Sequence, residues 1–240
     1  MIELNAFSKT YDSSPAVRDV SLVCREGTVT GLLGENGAGK TTILRAVCAQ
    51  HFATGGTVRV MGIDAAERPA EVRALTGMVG ESERLPAEYT VRECLMMAAR
   101  IHGVGDRERA VAEAAARCGA EDVLAQRIGT LSKGYKERVS FARALVHNPP
   151  VLVLDEPANG LDPAQIVRMR ALVSSLAKGR TILLSTHLMQ EVDALCDTVC
   201  LLHKGRAVAY GTAAEVARSA GVATLEAAFI KLTQDGGEGV

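Results

Sequence analysis

The sequence has no long hydrophobic stretch. Its apolar runs are short, such as those around positions 151–154 and 181–184, whereas a helix that crosses a membrane needs about 20 apolar residues. The opening Met1-Ile2-Glu3-Leu4 also lacks the basic stretch and apolar run of a secretory signal. We therefore expect neither a membrane span nor a secretion leader, so any action at a membrane would require a second chain that crosses it.

Paired cysteines are also missing. None of the six cysteines forms a C-x-x-C pair, and no cluster of histidines accompanies them. Zinc sites and disulfide frameworks depend on such spacings, so we predict reduced, mostly buried thiols in a cytosolic protein. The six are Cys24, Cys48, Cys94, Cys118, Cys196 and Cys200.

An excess of one charge is lacking as well. The chain carries 27 Lys and Arg against 28 Asp and Glu, a formal net charge of −1. A nucleic-acid-binding domain usually has a basic excess, so we expect no nucleic-acid partner. The contents of 48% hydrophobic and 23% charged residues are those of a globular protein. A length of 240 residues suffices for one large domain or two small lobes.

The first third of the chain has the pattern of β-strands, and the middle has the pattern of helices. Apolar or alternating runs between Gly- and Asp-containing turns predict strands at 17–24, 28–33 and 57–61. Residues 90–102 and 107–118 are rich in Ala, Met, Glu and Arg, with few β-branched residues. This composition predicts a helical subdomain in the middle of the chain.

After residue 150, predicted strands and helices alternate. The apolar runs 151–154 and 181–185 predict buried strands, and Asp162-Pro163 opens a helix between them that ends at Gly179. Buried strands separated by helices indicate an α/β fold with a mostly parallel sheet and helices on both faces. The last predicted elements are a helix at 188–196, a hairpin of strands 198–202 and 206–210, a helix after the capping box Thr212-x-x-Glu215, and a disordered tail at 234–240.

A glycine-rich motif separates the strand at 28–33 from a helix predicted at 41–50. Gly34-Glu35-Asn36-Gly37-Ala38-Gly39-Lys40-Thr41 matches G-x-x-x-x-G-K-[ST], and Thr42 extends the candidate binding segment to 34–42. Glycines in such a loop let successive N–H groups point at one anion, and the helix adds its positive end. We predict a nucleotide phosphate site, in which Lys40 reaches the β- and γ-phosphates and the Thr41 hydroxyl ligates Mg²⁺.

Two acidic residues follow the apolar strand at 151–154. Ligands of open α/β sheets bind at the carboxyl ends of the strands, and Asp155 emerges at that end. Its carboxylate is placed to hold Mg²⁺ through water. Glu156 is the next residue, and we predict that it orients and polarises the attacking water as a general base.

The segment Leu131-Ser132-Lys133-Gly134-Tyr135-Lys136-Glu137-Arg138 goes beyond a generic phosphate-loop protein. It resembles the signature, usually written LSGGQ, of the ATP-binding cassette (ABC) ATPases, and the resemblance spans nearly the whole chain. It implies a phosphate-loop NTPase core with a mostly parallel sheet and an N-terminal antiparallel β subdomain. It also implies a helical subdomain inserted at about 83–147, all within one domain at 1–233.

Three further positions match the family in the order that it uses. Tyr11 falls where the family stacks an aromatic ring on adenine. The segment Ala158-Asn159-Gly160-Leu161-Asp162 corresponds to the loop that crosses the dimer interface, and His187 matches the switch histidine that contacts the γ-phosphate. The resemblance therefore implies ATP and Mg²⁺ as ligands, with hydrolysis as the reaction.

The resemblance also implies partners. Ser132 is a good N-cap, so the helix after it begins with an anion-binding end. In the resembling family this helix start, here with Gly134, docks on the γ-phosphate held by a second ATP-binding subunit, which we expect to be another copy of this chain. The family also implies a separate integral membrane permease, contacted near 81–92, and a cytoplasmic location at the inner face of the cell membrane.

The sequence departs from the family pattern at three positions. Glu81 stands where the family usually has a Gln that ligates Mg²⁺, and its carboxylate also suits a hard cation. Lys133 and Tyr135 replace the Gly and Gln of LSGGQ, and they are similar to a subgroup with the signature LSKGY. The ending at 225–233 is similar to that of subunits serving exporter-type permeases, which favours export.

Other functions are open to a phosphate-loop chain of this size. Iron–sulfur assembly ATPases have the same length and stay an alternative. Chromosome-maintenance members insert a long coiled coil between the two nucleotide motifs, but only 155 − 40 = 115 positions separate Lys40 from Asp155, without sustained heptads. A GTPase would need an N-K-x-D-type guanine reader and a kinase an acceptor lid, and we find neither in the sequence.

Overall fold

The computed structural model describes residues 1–81 and 85–234. Their strands are β1 (Ile2–Tyr11), β2 (Ser14–Cys24), β3 (Val29–Gly34), β4 (Gly55–Val60), β5 (Ile63–Asp64), β6 (Thr76–Val79), β7 (Val151–Asp155), β8 (Thr181–Thr186), β9 (Thr198–His203) and β10 (Arg206–Gly211). Their helices are α1 (Lys40–Val47), α2 (Pro69–Leu75), α3 (Val91–Ile101), α4 (Arg107–Cys118), α5 (Lys133–Leu145), α6 (Pro163–Ala177), α7 (Met189–Leu195), α8 (Ala213–Ser219) and α9 (Leu225–Gln234).

A six-stranded sheet forms the centre of the fold, in the order β10-β9-β3-β8-β7-β6. Its strands are parallel except for β10, which runs antiparallel to β9. Every residue of β3, β7 and β8 is buried, as expected for parallel strands covered on both faces. The predicted mostly parallel α/β core is confirmed, and the loops that follow these three strands meet at one edge of the sheet.

A smaller antiparallel sheet, in the order β2-β1-β4-β5, lies on one side of the core. Its apolar residues join α1 and the central sheet in one cluster, to which Phe7, Ile43 and Val153 belong. The cluster fixes α1, and therefore the loop before it, between the two sheets. The antiparallel β subdomain implied by the family resemblance is thereby confirmed.

Helices α3, α4 and α5 pack together on the opposite side of the chain's core. Helix α3 begins with a capping box between Thr90 and Glu93, and Asp106 caps α4 by accepting a hydrogen bond from Arg109 N at 3.2 Å. Their buried faces share a cluster with Leu152 and Leu154 of the central sheet. The two helices predicted at 90–102 and 107–118 are confirmed within one residue at each end.

Several details differ from the prediction. Helix α1 ends at Val47 rather than at residue 50, because Ala49 adopts a left-handed backbone with φ of 49°. Gln234 is the last residue of α9, so disorder from residue 234 is wrong at that position; the buried Leu225 and Ala228 anchor this helix. The rest of the predicted tail, 235–240, lies outside the described residues. Helix α2 was not predicted.

The sequence led to expectations about the state of the cysteines and about membrane-spanning helices. All six cysteines are free, and five of them are buried. Burial raises the pKa of Cys48 and of Cys200 to about 12, so both thiols stay protonated near neutral pH. Among the helices of the described ranges, none combines the length and the apolar composition that crossing a membrane requires.

Candidate functional site

The glycine-rich loop connects the end of β3 to the start of α1. Gly39 is the N-cap of α1 with φ of 102°, and a Cβ at this position would lie 2.8 Å from the carbonyl oxygen of Ala16. A side chain would therefore be both strained and in collision, so glycine is required here. The loop presents backbone N–H groups next to a helix N-terminus, which is an arrangement that binds anions.

Lys40 is a buried cation at the centre of the site. Its side chain is 6% exposed, and Nζ donates to the carbonyl oxygens of Gly34 at 2.6 Å and Glu35 at 3.2 Å. The same ammonium lies 3.0 Å from Oε1 of Glu156, which is 7% exposed. A buried charge is tolerated only with such partners, so the loop, Lys40 and Glu156 form one connected unit.

Asp155 is the last residue of β7, and its carboxylate accepts hydrogen bonds from two hydroxyl groups. Its residue is 3% exposed, and Oδ1 accepts hydrogen bonds from Ser185 Oγ at 2.6 Å and from Thr41 Oγ1 at 3.3 Å. Carboxylate and hydroxyl oxygens are the ligands of hard divalent cations. The convergence of Thr41 and Asp155 therefore gives a set of oxygen donors that suits Mg²⁺, and their role as its ligands stays a prediction.

Glu156 has an unusual backbone. It is a non-glycine residue at φ of 49°, in the left-handed region, which costs of order 1–3 kcal/mol and recurs at functional sites. Its N–H donates to the carbonyl oxygen of Ser185 at 3.2 Å and to Ser185 Oγ at 3.0 Å. Oε2 lies 2.8 Å from Nδ1 of His187, whose side chain is 42% exposed. Glu156 thus contacts Lys40 through one carboxylate oxygen and His187 through the other.

Glu81 follows β6 at the rim of the same site. Together with Thr41 and Asp155 it lines a cavity of about 590 Å³ between the central sheet and α3. Its Oε1 accepts a hydrogen bond from Asn159 Nδ2 at 2.9 Å. The carboxylate is therefore tied to the loop after β7 and also faces the cavity that contains the candidate cation ligands.

Ser132 and Gly134 lie at the start of α5, apart from the residues described above. Ser132 is the N-cap of α5, with Oγ accepting from the N–H of Tyr135 at 3.4 Å. Both residues line a second cavity, of about 580 Å³, whose lining includes Gln165 and Arg168 of α6 and no residue of the described phosphate loop. Within one chain, Ser132 and Gly134 thus line a different cavity from Thr41 and Asp155.

Tyr11 is the last residue of β1, and it is 42% exposed. Its ring makes an edge-on contact with His51, with 5.8 Å between centroids, and Lys9 Nζ lies 5.1 Å from the ring centroid. These neighbours fix the orientation of a partly exposed aromatic ring. Such a ring can offer a surface to a flat ligand.

Two residues with direct contacts in this geometry were not assigned these contacts from the sequence. Ser185 contacts both Asp155 and the backbone of Glu156; a small polar residue in the otherwise apolar strand β8 was the available signal. Lys133 donates to two carbonyl oxygens of the loop after β7. That contact joins segments 26 positions apart and has no local sequence signature.

Comparison with known proteins agrees with this geometry. Residues 17–159 match the family model described as ABC transporter. The chain is 37% identical over 219 residues to "ABC transporter ATP-binding protein NatA" of Bacillus subtilis, covering 88% of this chain and 89% of that protein. It is 38% identical over 213 residues to "Nod factor export ATP-binding protein I" of Rhizobium meliloti, with 88% of this chain and 64% of that longer protein covered.

A solved structure, "Structure of ATP binding subunit of ABC transporter", superposes with a TM-score of 0.88 at 30% identity, covering 97% of this chain and 99% of its own. The fold, the phosphate loop and these matches define the class: the chain belongs to the ABC transporter family. Within that family it is an ATP-binding subunit with ATPase activity.

Proposed function

We propose that residues 34–42 hold the phosphates of ATP and that Thr41 and Asp155 hold Mg²⁺. The buried Lys40 supplies a cation that can turn from its present carbonyl partners and Glu156 to the β- and γ-phosphates. Bound Mg²⁺ would neutralise charge that develops on the phosphate oxygens. The contact of Thr41 Oγ1 with Asp155 Oδ1 at 3.3 Å supports this pairing of ligands.

Glu156 is the proposed general base. Its backbone position is set by two hydrogen bonds from its N–H to Ser185, so its carboxylate has a defined direction. A base so placed orients the attacking water and accepts its proton. His187, 2.8 Å from the carboxylate, orients Glu156 and reaches toward the γ-phosphate as the second proposed catalytic residue.

Glu81 and Tyr11 complete the proposed ligand contacts. Glu81 is the candidate third oxygen ligand of the cation, because it lines the same cavity as Thr41 and Asp155. Tyr11 is the proposed adenine platform, since its half-exposed ring is held by His51 and Lys9. Stacking on an aromatic ring is a common way to bind a nucleotide base.

The working unit is a pair of ATP-binding subunits, in our proposal two copies of this chain. The observation that carries this proposal is the separation of Ser132 and Gly134 from the phosphate loop within one chain. An anion-binding helix start without a phosphate in its own chain is completed by the phosphate of a second copy. ATP would then bridge the closed pair, and hydrolysis would remove the bridge.

A separate membrane permease is the proposed partner of this pair, at the cytoplasmic face of the cell membrane. The proposed contact lies near 81–92, of which residues 82–84 fall outside the described residues. The 590 Å³ cavity adjoins this segment, and α3 adds the exposed Met97 and Ile101 to it. Exposed apolar side chains rimming a cavity favour a protein partner. Export is the proposed direction, supported by the similarity to the Nod factor export protein.

Affinity capture tests the transport assignment. A tagged Glu156→Gln chain, incubated with detergent-solubilised membranes of the source organism and Mg-ATP, should retain a multi-span membrane protein that mass spectrometry identifies. A Met97→Asp, Ile101→Asp variant of the same chain should lose that protein, because the substitutions place charges on the proposed contact. Capture of only non-membrane proteins by the intact chain would contradict the permease partnership.

A further inference from the structure

Two charged side chains of opposite sign converge on the loop between β7 and α6. Lys133, at the start of α5, donates from Nζ to the carbonyl oxygens of Asn159 at 3.0 Å and Gly160 at 2.7 Å. On the other side, Asn159 Nδ2 donates to Oε1 of Glu81 at 2.9 Å. Asn159 is therefore held through its backbone by a cation and through its side chain by an anion.

Glycine at position 160 makes the approach of Lys133 possible. Gly160 has φ of 68°, and a Cβ at this position would overlap Nζ of Lys133. Both the left-handed backbone and the absence of a side chain are needed for the ammonium to reach the two carbonyl oxygens. The lysine and the glycine are 27 positions apart, so the contact joins α5 to a loop of the central sheet.

The same loop carries the proposed general base. The N–H of Asn159 donates to the carbonyl oxygen of Glu156 at 3.0 Å, and the N–H of Leu161 donates to the carbonyl oxygen of Ala158 at 3.2 Å. These bonds form a turn at 156–161 that starts at the strained Glu156 backbone. Lys133 therefore binds the carbonyl oxygen of Asn159, and Asn159 is the residue whose N–H is hydrogen-bonded to Glu156.

We propose that Lys133 is a positioning residue, which holds the 156–161 turn and thereby the direction of the Glu156 carboxylate; this inference rests on the proposed role of Glu156. Because Lys133 belongs to α5, a movement of that helix relative to the central sheet pulls on the turn through two charge-assisted hydrogen bonds. Lys133 in this way connects the position of the signature helix with the geometry of the base in the same chain.

Amide hydrogen exchange of the full chain without nucleotide tests the contact itself. Lys133→Met keeps the aliphatic stem and removes the ammonium, so the amides of Asn159 and Leu161 should exchange ~10-fold faster. Lys136→Met is the matched control, because it removes the same charge one turn further along α5, and it should leave exchange at 156–161 unchanged. Equal exchange in Lys133→Met and parent, or equal acceleration in both variants, would overturn the proposal.

Steady-state ATPase kinetics test the consequence. Lys133→Met should lower kcat roughly 5- to 10-fold with KM within about twofold, because a positioning defect acts on the chemical step. Lys133→Arg should recover most of kcat, since a guanidinium also donates to two carbonyl oxygens. A KM increase as large as the kcat loss would indicate a nucleotide contact and overturn the positioning role.

Failure of this inference can be told apart from failure of the proposed function. If Glu156→Gln abolishes turnover while Lys133→Met leaves both exchange and kcat at the parental level, only the role of Lys133 is refuted. If Glu156→Gln turns over at the parental rate, the assignment of the base is refuted, whatever Lys133→Met does to the exchange of the turn.

Discussion

Replacing Glu156 by Gln is the substitution that probes the proposed chemistry most selectively. The side chain is 7% exposed, and its two oxygens contact Lys40 at 3.0 Å and His187 at 2.8 Å. Glutamine has the same shape and can still accept a hydrogen bond through one oxygen. What it loses is the negative charge and the capacity to accept a proton from water.

The expected loss follows from that chemistry. Positioned general bases contribute about 10²- to 10⁴-fold to rate, which corresponds to roughly 2.7–5.4 kcal/mol of activation free energy. We therefore expect kcat for ATP hydrolysis to fall by at least about 100-fold. ATP affinity should be retained or increased, because one negative charge facing the phosphates is removed.

The same change has a measurable effect on stability. Removing one partner of a buried ion pair typically costs about 3–5 kcal/mol. Lys40 keeps the carbonyl oxygens of Gly34 and Glu35 as acceptors, so we expect a smaller loss of about 1–2 kcal/mol in the free energy of unfolding without nucleotide. Saturating ATP should offset this loss by mass action on the folded state.

Phosphate release at saturating Mg-ATP measures kcat, and calorimetry measures ATP affinity. Glu26→Gln is a suitable control, because it removes a carboxylate whose side chain is 69% exposed and should leave kcat unchanged. Turnover of Glu156→Gln within threefold of the parent would refute the role of the carboxylate as a base. Weakened ATP binding with normal turnover would refute the argument that the negative charge of Glu156 opposes the binding of the phosphates.

Three further substitutions test separate parts of the account. Lys40→Ala should weaken ATP binding in calorimetry by 10-fold or more, on the order of 1.4 kcal/mol, and unchanged affinity would contradict the phosphate-loop assignment. Glu81→Gln should retain or increase ATPase activity, because the amide oxygen can still accept from Asn159; complete loss would mean that the carboxylate itself is required. Burial raises the pKa of Glu137 to about 7, so its ionisation penalises the folded state: the penalty is absent below pH 4.5, grows as pH rises toward 7, and is complete above that value. Glu137→Gln should therefore raise the free energy of unfolding by about 1–2 kcal/mol at pH 8, a value reduced because the side chain is half exposed. At pH 4 the substitution should have no effect. Equal effects in urea titrations at both pH values would contradict this sign.

Local sequence patterns predicted the strands that are buried along their whole length and the helices that begin with a capping residue. Strands β7 and β8 are buried along their whole length, so their apolar runs predicted them, and the capping residues Asp162 and Thr212 predicted helix starts within one residue. Strand β1 was harder to recognise. Its pairing is interrupted by bulges near Ala6, which adopts φ of 49°, so the alternation of apolar and polar residues is lost. Helix α2 buries only Val72, which leaves no periodicity to read.

The sequence predicted the separate segments of the candidate site but not the contacts between them. The glycine-rich motif and the Asp155-Glu156 pair are local patterns, and the structure brings them together because β3 and β7 flank β8. The contacts of Ser185 with Asp155 and of Lys133 with Gly160 join residues 30 and 27 positions apart. Such contacts are set by strand order and helix packing, which motif spacing does not encode.

Mixing two inactive variants tests the shared nucleotide site most directly. Lys40→Ala disables the phosphate loop, and Ser132→Glu places a negative charge at the signature helix start. If each site combines Lys40 of one copy with Ser132 of the other, a mixed pair contains one intact site, and an equimolar, randomly exchanged mixture should recover about one quarter of the parental ATPase rate. A mixture that stays as inactive as either variant alone would contradict the account.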